Sequence, residues 1–140
     1  IPVTDAMERA FGVRPQKEVL GLHLICVFEK EEQVRKMQPD QTLLKEIEGR
    51  IQNATAAGIN VDCVSRSFCP KLSIAEDPVC GSAHCQIAAY WSRVLNKPAI
   101  KAYQASRRGG YLYLELLDKG RIKISGEAVL VAVADIKAKL

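Results

Sequence analysis

The stretch Glu76-Asp77-Pro78-Val79-Cys80-Gly81-Ser82-Ala83-His84-Cys85 constrains this chain more than any other. Proline is accepted in a turn and not in a helix interior. Glycine permits unusual backbone angles and close approach of a ligand, and serine is a favoured N-cap. The segment therefore reads as a turn entering a helix near Ser82. The first N–H groups of such a helix lack intrahelical partners and carry the positive end of its dipole, which suits a carboxylate or phosphate. A small anion could dock there beside Asp77 and Cys80.

The residues that follow give this helix its setting. Ala83, Cys85, Ile87, Ala88, Ala89, Tyr90, Trp91, Val94 and Leu95 spread around nearly its whole circumference, so burial on most sides is expected. Arg93 and Lys97 lie at the end where the dipole favours positive charge. Beyond it, the runs 100–106, 111–117, 121–125 and 128–134 are β-patterned and separated by Gly109-Gly110, Asp118-Lys119-Gly120 and Gly126. Leu112, Leu114 and Leu116 alternate with polar or aromatic neighbours, and Ile122 with Ile124 continues the inward face across a hairpin.

Upstream, Thr4-Asp5 and Gly12 bracket a short helix whose apolar side is Ala6, Met7, Ala10 and Phe11. Residues 19–28 form a nearly continuous apolar run, read as one buried strand. Residues 29–38 and 40–48 read as two solvated helices joined at Pro39. The polar segment 50–56 suits a short edge strand, and 61–68 a better one. One apolar helix among several strands predicts an α+β fold, a mostly antiparallel curved sheet wrapped around one central buried helix.

At 140 residues and 48% hydrophobic content, residues 1–140 suffice for one domain with its own core. The net charge of +4 arises from 20 basic and 16 acidic residues with no basic block interleaved with aromatics, so nucleic acid is not an expected partner. No apolar run approaches the about 20 residues of a membrane span, so no membrane partner is expected either. Without a recognisable leader, five cysteines suggest reduced thiols in a cytoplasmic protein. Cys63, Cys69, Cys80, Cys85 and His84 lack the Cys-x-x-Cys spacing of a zinc site, and no metal or cofactor is expected. The first residue is Ile1 rather than Met, which suggests a piece of something longer.

Three motifs in order, Ser65-Arg66-Ser67-Phe68-Cys69-Pro70, Glu76 to His84, and Gln104-Ala105-Ser106-Arg107-Arg108-Gly109-Gly110, resemble the PhzF-like family, named for an isomerase of phenazine biosynthesis. The resemblance covers essentially the whole chain and is most specific over residues 61–133. It implies a diaminopimelate epimerase-like fold of two similar halves, each a sheet curled around a central helix, with the active site between them. It also implies that this chain corresponds to the C-terminal half. The family's proposed catalytic glutamate, and a histidine beside it, belong to the N-terminal half, so Glu76 is not equated with that glutamate. What the resemblance transfers is Asp77 and Ser82 as polar active-site groups, and Gly81, Ser82 and Ala83 as the helix terminus that holds a substrate carboxylate. Many members carry Thr where this chain has Cys80, whereas the epimerase relatives have a catalytic cysteine just before the glycine. Cys80 thus has two readings, spectator or half of a two-base pair. Arg66 and Arg108 each have two as well, carboxylate-orienting group or structural clamp. His84 is read as structural.

The expected function is a cofactor-independent isomerase or epimerase moving a proton on a small carboxylate-bearing metabolite, with this chain supplying one wall of the cleft. Whether the chain alone is an enzyme is left open. The competing expectation is a catalytically incomplete domain acting as a binding or assembly module. Either way, a homodimer or pairing with an N-terminal half is the expected assembly.

Overall fold

The structure is a computed structural model and describes residues 2–135 and 137. Its first element, α1 (Asp5–Phe11), starts where the Thr4 hydroxyl accepts the Met7 N–H at 3.3 Å and stops at Gly12, whose φ of 75° needs a residue without Cβ. The apolar run expected as one strand is a hairpin of β1 (Lys17–Leu20) and β2 (Leu24–Val27), paired from Lys17 with Val27 to Leu20 with Leu24. Gly21 sets the break, because a Cβ there would lie 2.3 Å from the Gln86 side chain. The two solvated helices are α2 (Glu31–Lys36) and α3 (Gln41–Glu46), the second capped by the Asp40 carboxylate on the Thr42 and Leu43 N–H groups.

Eight strands form one mixed sheet. After β3 (Gln52–Ala57) and β4 (Cys63–Cys69) come β5 (Ile74–Asp77), helix α4 (Gly81–Leu95), and β6 (Ala99–Gln104), β7 (Gly110–Leu116) and β8 (Ile122–Ser125). The spatial order is β1-β2-β3-β4-β6-β7-β8, with β5 paired to β4 off that path. The β2–β3 and β4–β6 pairs are parallel and the other five antiparallel. The segment expected as an edge strand is therefore central, and Gln52 to Ala56 are all buried. Its small and polar side chains fit between layers because their groups are bonded: Asn53 donates to the Leu24 carbonyl at 3.0 Å, and Thr55 donates to the Val64 carbonyl while accepting the Trp91 indole N–H at 2.9 Å.

Helices cover both faces of β2, β3 and β4. On one side Met7, Phe11, Val34 and Leu44 of α1 to α3 pack on Leu24, Cys26, Ala54, Ala56, Val64 and Phe68. On the other, Ala83, Ile87, Ala88 and Trp91 of α4 pack on Ile25, Val27, Cys63, Ile100, Ala102, Leu112 and Leu114. Double cover is why β2 reads as an uninterrupted apolar run, while β6 and β7, covered on one face, alternate. The expected all-round burial of α4 is not observed. Its buried residues lie on one face, and Cys85, Val94 and Leu95 are exposed. The β-patterned run 128–134 is not a strand either; it makes no ladder among the described residues, and Val129, Leu130, Val131 and Val133 are exposed. No helix among the described residues is long and apolar enough to cross a membrane.

Both histidines are buried, and burial holds both imidazoles below their ordinary value of 6.5. The unfolded chain takes up protons as pH falls through 6.5, whereas the folded chain does so only at lower pH. Falling pH therefore favours unfolding in that window, and the loss levels off below the folded-state values. Thermal melting should be flat above about pH 7.5 and decline below about pH 6.5 on this linkage. Neither ring nitrogen of His23 has a hydrogen-bond partner among the described residues. His23→Leu should therefore shrink the slope at little cost in stability at pH 8, as melting scans at the two pH values would measure.

Candidate active site

The Asp77 to Cys80 turn lies where the sheet splits. Strand β3 occupies one side of β4 along residues 63–68, and on the other side β4 pairs with β6 at Cys63 to Ser65 and with β5 at Ser67 to Cys69. Strand β6 thus ends where β5 begins, and main-chain groups at the divide need partners from outside a ladder. Gln104, the last residue of β6 and wholly buried, supplies them. Its Oε1 accepts the Cys80 N–H at 2.7 Å and its Nε2 donates to the Asp77 carbonyl at 2.5 Å.

The remaining groups of the turn are held as firmly. The Asp77 Oδ1 accepts the Val79 N–H at 2.9 Å, and the Ser106 hydroxyl donates to the Pro78 carbonyl at 2.7 Å while accepting the Gly109 N–H. His84 Nδ1 lies 2.6 Å from the Cys80 carbonyl, and its Nε2 lies 3.1 Å from the Ser65 hydroxyl. A carbonyl only accepts, so Nδ1 carries the proton and Nε2 accepts from Ser65. Burial, the largest influence, keeps this ring neutral against the upward pull of the Cys80 carbonyl and the Asp77 charge. His84 is therefore structural, as the sequence suggests.

Helix α4 departs from the expected capping. Cys80, not Ser82, is the N-cap residue, and its side chain makes no capping bond. Ser82 is the second helical residue, exposed, with its hydroxyl 3.5 Å from the Cys80 sulfur. Gly81 has no positive φ; its contribution is space, since a Cβ there would meet nothing within 4 Å. The first N–H groups of α4, those of Gly81, Ser82 and Ala83, consequently lack the side-chain oxygen that ordinarily covers such a terminus. The first of these residues, Gly81, lines a cavity of about 580 Å³ together with Val79, Arg108, Tyr111 and the chain from Ile124 to Val129. Arg108 is exposed, forms no ion pair among the described residues, and also lines a neighbouring hollow with Glu76, Pro78 and Ser106. Close packing of Gly110 on Val79, where a Cβ would come within 2.5 Å, brings the arginine loop against the turn.

Arg66 lies elsewhere. It forms a bidentate pair with Glu76, both bonds 2.8 Å, donates to the Met37 carbonyl at 2.6 Å, and stacks on Phe68. Ser65 faces α4, so Arg66, one residue on, points to the opposite face of the sheet. The guanidinium ties β4, β5 and the end of α2 together, which is the clamp reading, and the same pair occupies Glu76. Asp77 Oδ2 and the Cys80 thiol remain as titratable groups at the turn, Cys80 with 4% of its surface exposed. Burial pushes the Cys63 thiol up to about 12 and Cys69 to about 11, so both are protonated at neutral pH. No group of three or more His, Cys, Asp or Glu among the described residues is arranged to hold a metal.

Among the candidates, Asp77, Cys80, Gly81, Ser82, Ala83 and Arg108 come together and Arg66 does not. Gln104, Ser65 and Ser106 support the site without having been singled out for it. Each sits inside one of the three motifs, and their side-chain bonds, those of Gln104 and Ser106 to the turn and that of Ser65 to His84, are the physical link between those motifs.

The same fold also occurs in solved structures. A PhzF family protein of Enterococcus faecalis superposes with a TM-score of 0.83 at 43% identity, over 93% of this chain and 53% of that one. A phenazine biosynthesis PhzC/PhzF protein of Clostridium difficile gives 0.89 at 37% identity, over 99% of this chain and 53% of that one. An uncharacterized isomerase of Pseudomonas aeruginosa is 43% identical over 136 residues, 96% of this chain and 51% of its own length. Residues 15–134 match the phenazine biosynthesis-like protein family PhzC-PhzF, and the chain belongs to that family. It spans about half the length of these relatives.

Two substitutions separate support from access. Gln104→Leu orphans the Cys80 N–H and the Asp77 carbonyl and should cost about 2–4 kcal/mol by denaturant unfolding. Gly81→Ala, with open space for its Cβ, should leave stability within about 1 kcal/mol while filling the mouth of the cavity.

Proposed function

We propose that this chain forms one wall of the cleft in a PhzF-like isomerase or epimerase that moves a proton on a small carboxylate-bearing metabolite without a bound cofactor. The observation that carries this reading is the uncapped terminus of α4 opening on a cavity beside an unpaired arginine. Names of relatives agree with it at the level of reaction type, since the Pseudomonas relative and one from Halalkalibacterium halodurans are both called isomerases. In this reading the chain is the C-terminal half of a diaminopimelate epimerase-like architecture, its sheet curling about α4, and a complementary half supplies the other wall.

The substrate carboxylate accepts hydrogen bonds from Gly81, Ser82 and Ala83 and a charge-assisted pair from Arg108. Removing a proton next to a carboxylate moves negative charge onto its oxygens. Donors held rigidly against those oxygens lower the barrier because they need no reorganisation as the charge develops. The bonds from Gln104, His84 and Ser106 to the turn supply that rigidity. Asp77, whose Oδ2 has no partner among the described residues, and Cys80 are the groups here able to give or take a proton. The second base belongs to the opposite wall.

The experiment is exchange of a substrate α-proton for deuterium, followed by NMR or mass spectrometry over a panel of small carboxylic acids, with the chain joined to its complementary half. Asp77→Asn or Cys80→Ser should slow exchange by about 100-fold or more. Arg108→Ala should raise the KM by about tenfold with a smaller effect on kcat. Exchange untouched by either substitution at 77 or 80 would remove proton transfer from this wall and leave the assembly-module reading.

A further inference from the structure

Three polar side chains cross the floor of the site in one rank. Asn53 of β3 is paired with Ser67 of β4, and Ser67 with Asp77 of β5. Residues directly opposite in a sheet share a face. Here it is the α4 face, because Ser65, two residues before Ser67, bonds His84 of that helix. Arg66, Phe68 and Glu76 occupy the reverse face. The rank therefore runs from the closed interior, where Asn53 and Ser67 are wholly buried, out to the start of the turn at Asp77.

Each member keeps one polar atom free. The Asn53 amide nitrogen donates to the Leu24 carbonyl at 3.0 Å, which fixes the amide and leaves its acceptor Oδ1 without a partner among the described residues. Asp77 accepts the Val79 N–H on Oδ1, and its Oδ2 has no partner among the described residues. Between them the Ser67 hydroxyl has none either, an arrangement that is costly for a buried hydroxyl unless a bond forms at some stage of function. A hydroxyl has a single proton, so it donates to one neighbour at a time while its lone pairs still accept. Opposed Cβ atoms lie about 5 Å apart. That spacing puts the serine hydroxyl within a small rotamer adjustment of side-chain oxygens on both sides.

We propose that Ser67 is a positioning residue for Asp77, its O–H turning between Asp77 Oδ2 and Asn53 Oδ1 as Asp77 loses and gains a proton. With Asp77 ionised, Ser67 donates to Oδ2 and holds the carboxylate in place. When Asp77 takes a proton from substrate, the carboxyl O–H donates to Ser67 Oγ, and the Ser67 O–H swings to Asn53 Oδ1. Return of the proton reverses both movements. One proton passes between substrate and Asp77, no other is exchanged, and the buried hydroxyl is bonded in both states. Of the other titratable groups that face the rank, burial keeps the His84 ring neutral and pushes the Cys69 thiol up to about 11, and Cys80 follows in the turn. Glu76 is held by Arg66 on the reverse face, and Arg107 and Arg108 lie past Pro78 in the neighbouring hollow. The Ser67 hydroxyl thus answers a change of charge at Asp77 from the buried side. The inference rests on the reading of Asp77 as a proton-transfer group.

The test follows the Asp77 carboxyl signal by 13C NMR in the whole chain, labelled at aspartate, as pH is varied. Ser67→Ala removes the donor to the ionised form and should raise the proton affinity of Asp77 about tenfold. Ser67→Thr keeps a hydroxyl and should stay within about twofold of the wild type. Asn53→Leu removes the acceptor that the protonated state needs and should lower the affinity about threefold or more. A loss of packing alone would not move Ser67→Ala and Asn53→Leu in opposite directions. An Asp77 titration unchanged in Ser67→Ala, a change in Ser67→Thr as large as that in Ser67→Ala, or a raised affinity in Asn53→Leu would each overturn the inference. Ser67→Ala and Ser67→Thr decide by themselves where Asn53→Leu does not fold. Substrate exchange enters none of these readouts, so a failed proton-transfer assignment shows separately, as exchange that survives Asp77→Asn.

Discussion

The carboxamide of Gln104 closes a gap that the topology opens. On the side away from β3, strand β4 cannot keep one partner along its length, because β6 reaches it only as far as Ser65 and β5 begins at Ser67. A side-chain amide has one donor and one acceptor in a fixed plane, like a peptide group, so Gln104 continues the hydrogen-bond pattern where the backbone has turned away. The turn from Asp77 to Cys80, the direction in which α4 leaves it, and the approach of the Arg108 loop all follow from that connection.

Holding the turn by its main chain has a chemical consequence. Cys80 fixes the loop through its backbone, and Asp77 through its carbonyl and Oδ1, which leaves Asp77 Oδ2 without a partner among the described residues and the Cys80 thiol with only a 3.5 Å contact to the Ser82 hydroxyl. The same economy appears at the helix terminus. A serine or aspartate at position 80 would turn its own oxygen onto the first N–H groups, whereas cysteine is a poor acceptor and leaves them open. An uncapped terminus costs stability in isolation. Here the helix is held instead by Ile87, Ala88 and Trp91 against the sheet, with Trp91 also bonded to Thr55.

The parts of this arrangement that sequence reveals are those with local causes. The Thr4 cap, the Gly12 stop, the Asp40 start and the alternation of Leu112, Leu114 and Leu116 depend on residues close in the chain, and the structure repeats them. The break at Gly21 was hidden because its reason is Gln86, 65 positions away. Strand β3 read as an edge because Asn53 and Thr55 are polar, yet their partners at Leu24, Val64 and Trp91 make them suitable for the interior. Ser82 read as a cap because serine favours that position, whereas in the turn fixed by Gln104 the cap is Cys80, two residues earlier. Arg66 illustrates the same limit: its type suits a carboxylate, and only the fold shows that the carboxylate is Glu76.

The sheet has two regimes, and the site lies on their boundary. From β2 to β4 it is a middle layer, closed by α1 to α3 on one face and α4 on the other. From β6 to β8 its main cover is α4, and on the other face, beyond Tyr103 under Arg35, Lys101, Tyr111 and Tyr113 meet solvent. A doubly covered region is rigid but inaccessible, and a singly covered one is accessible but has fewer constraints. The turn at Cys80 stands between them, anchored through Ser65 and His84 to the closed part and through Gln104 and Ser106 to the open part. Because α4 starts at that junction, its first turn is held by the closed part through His84 while Gly81 reaches the cavity on the open part.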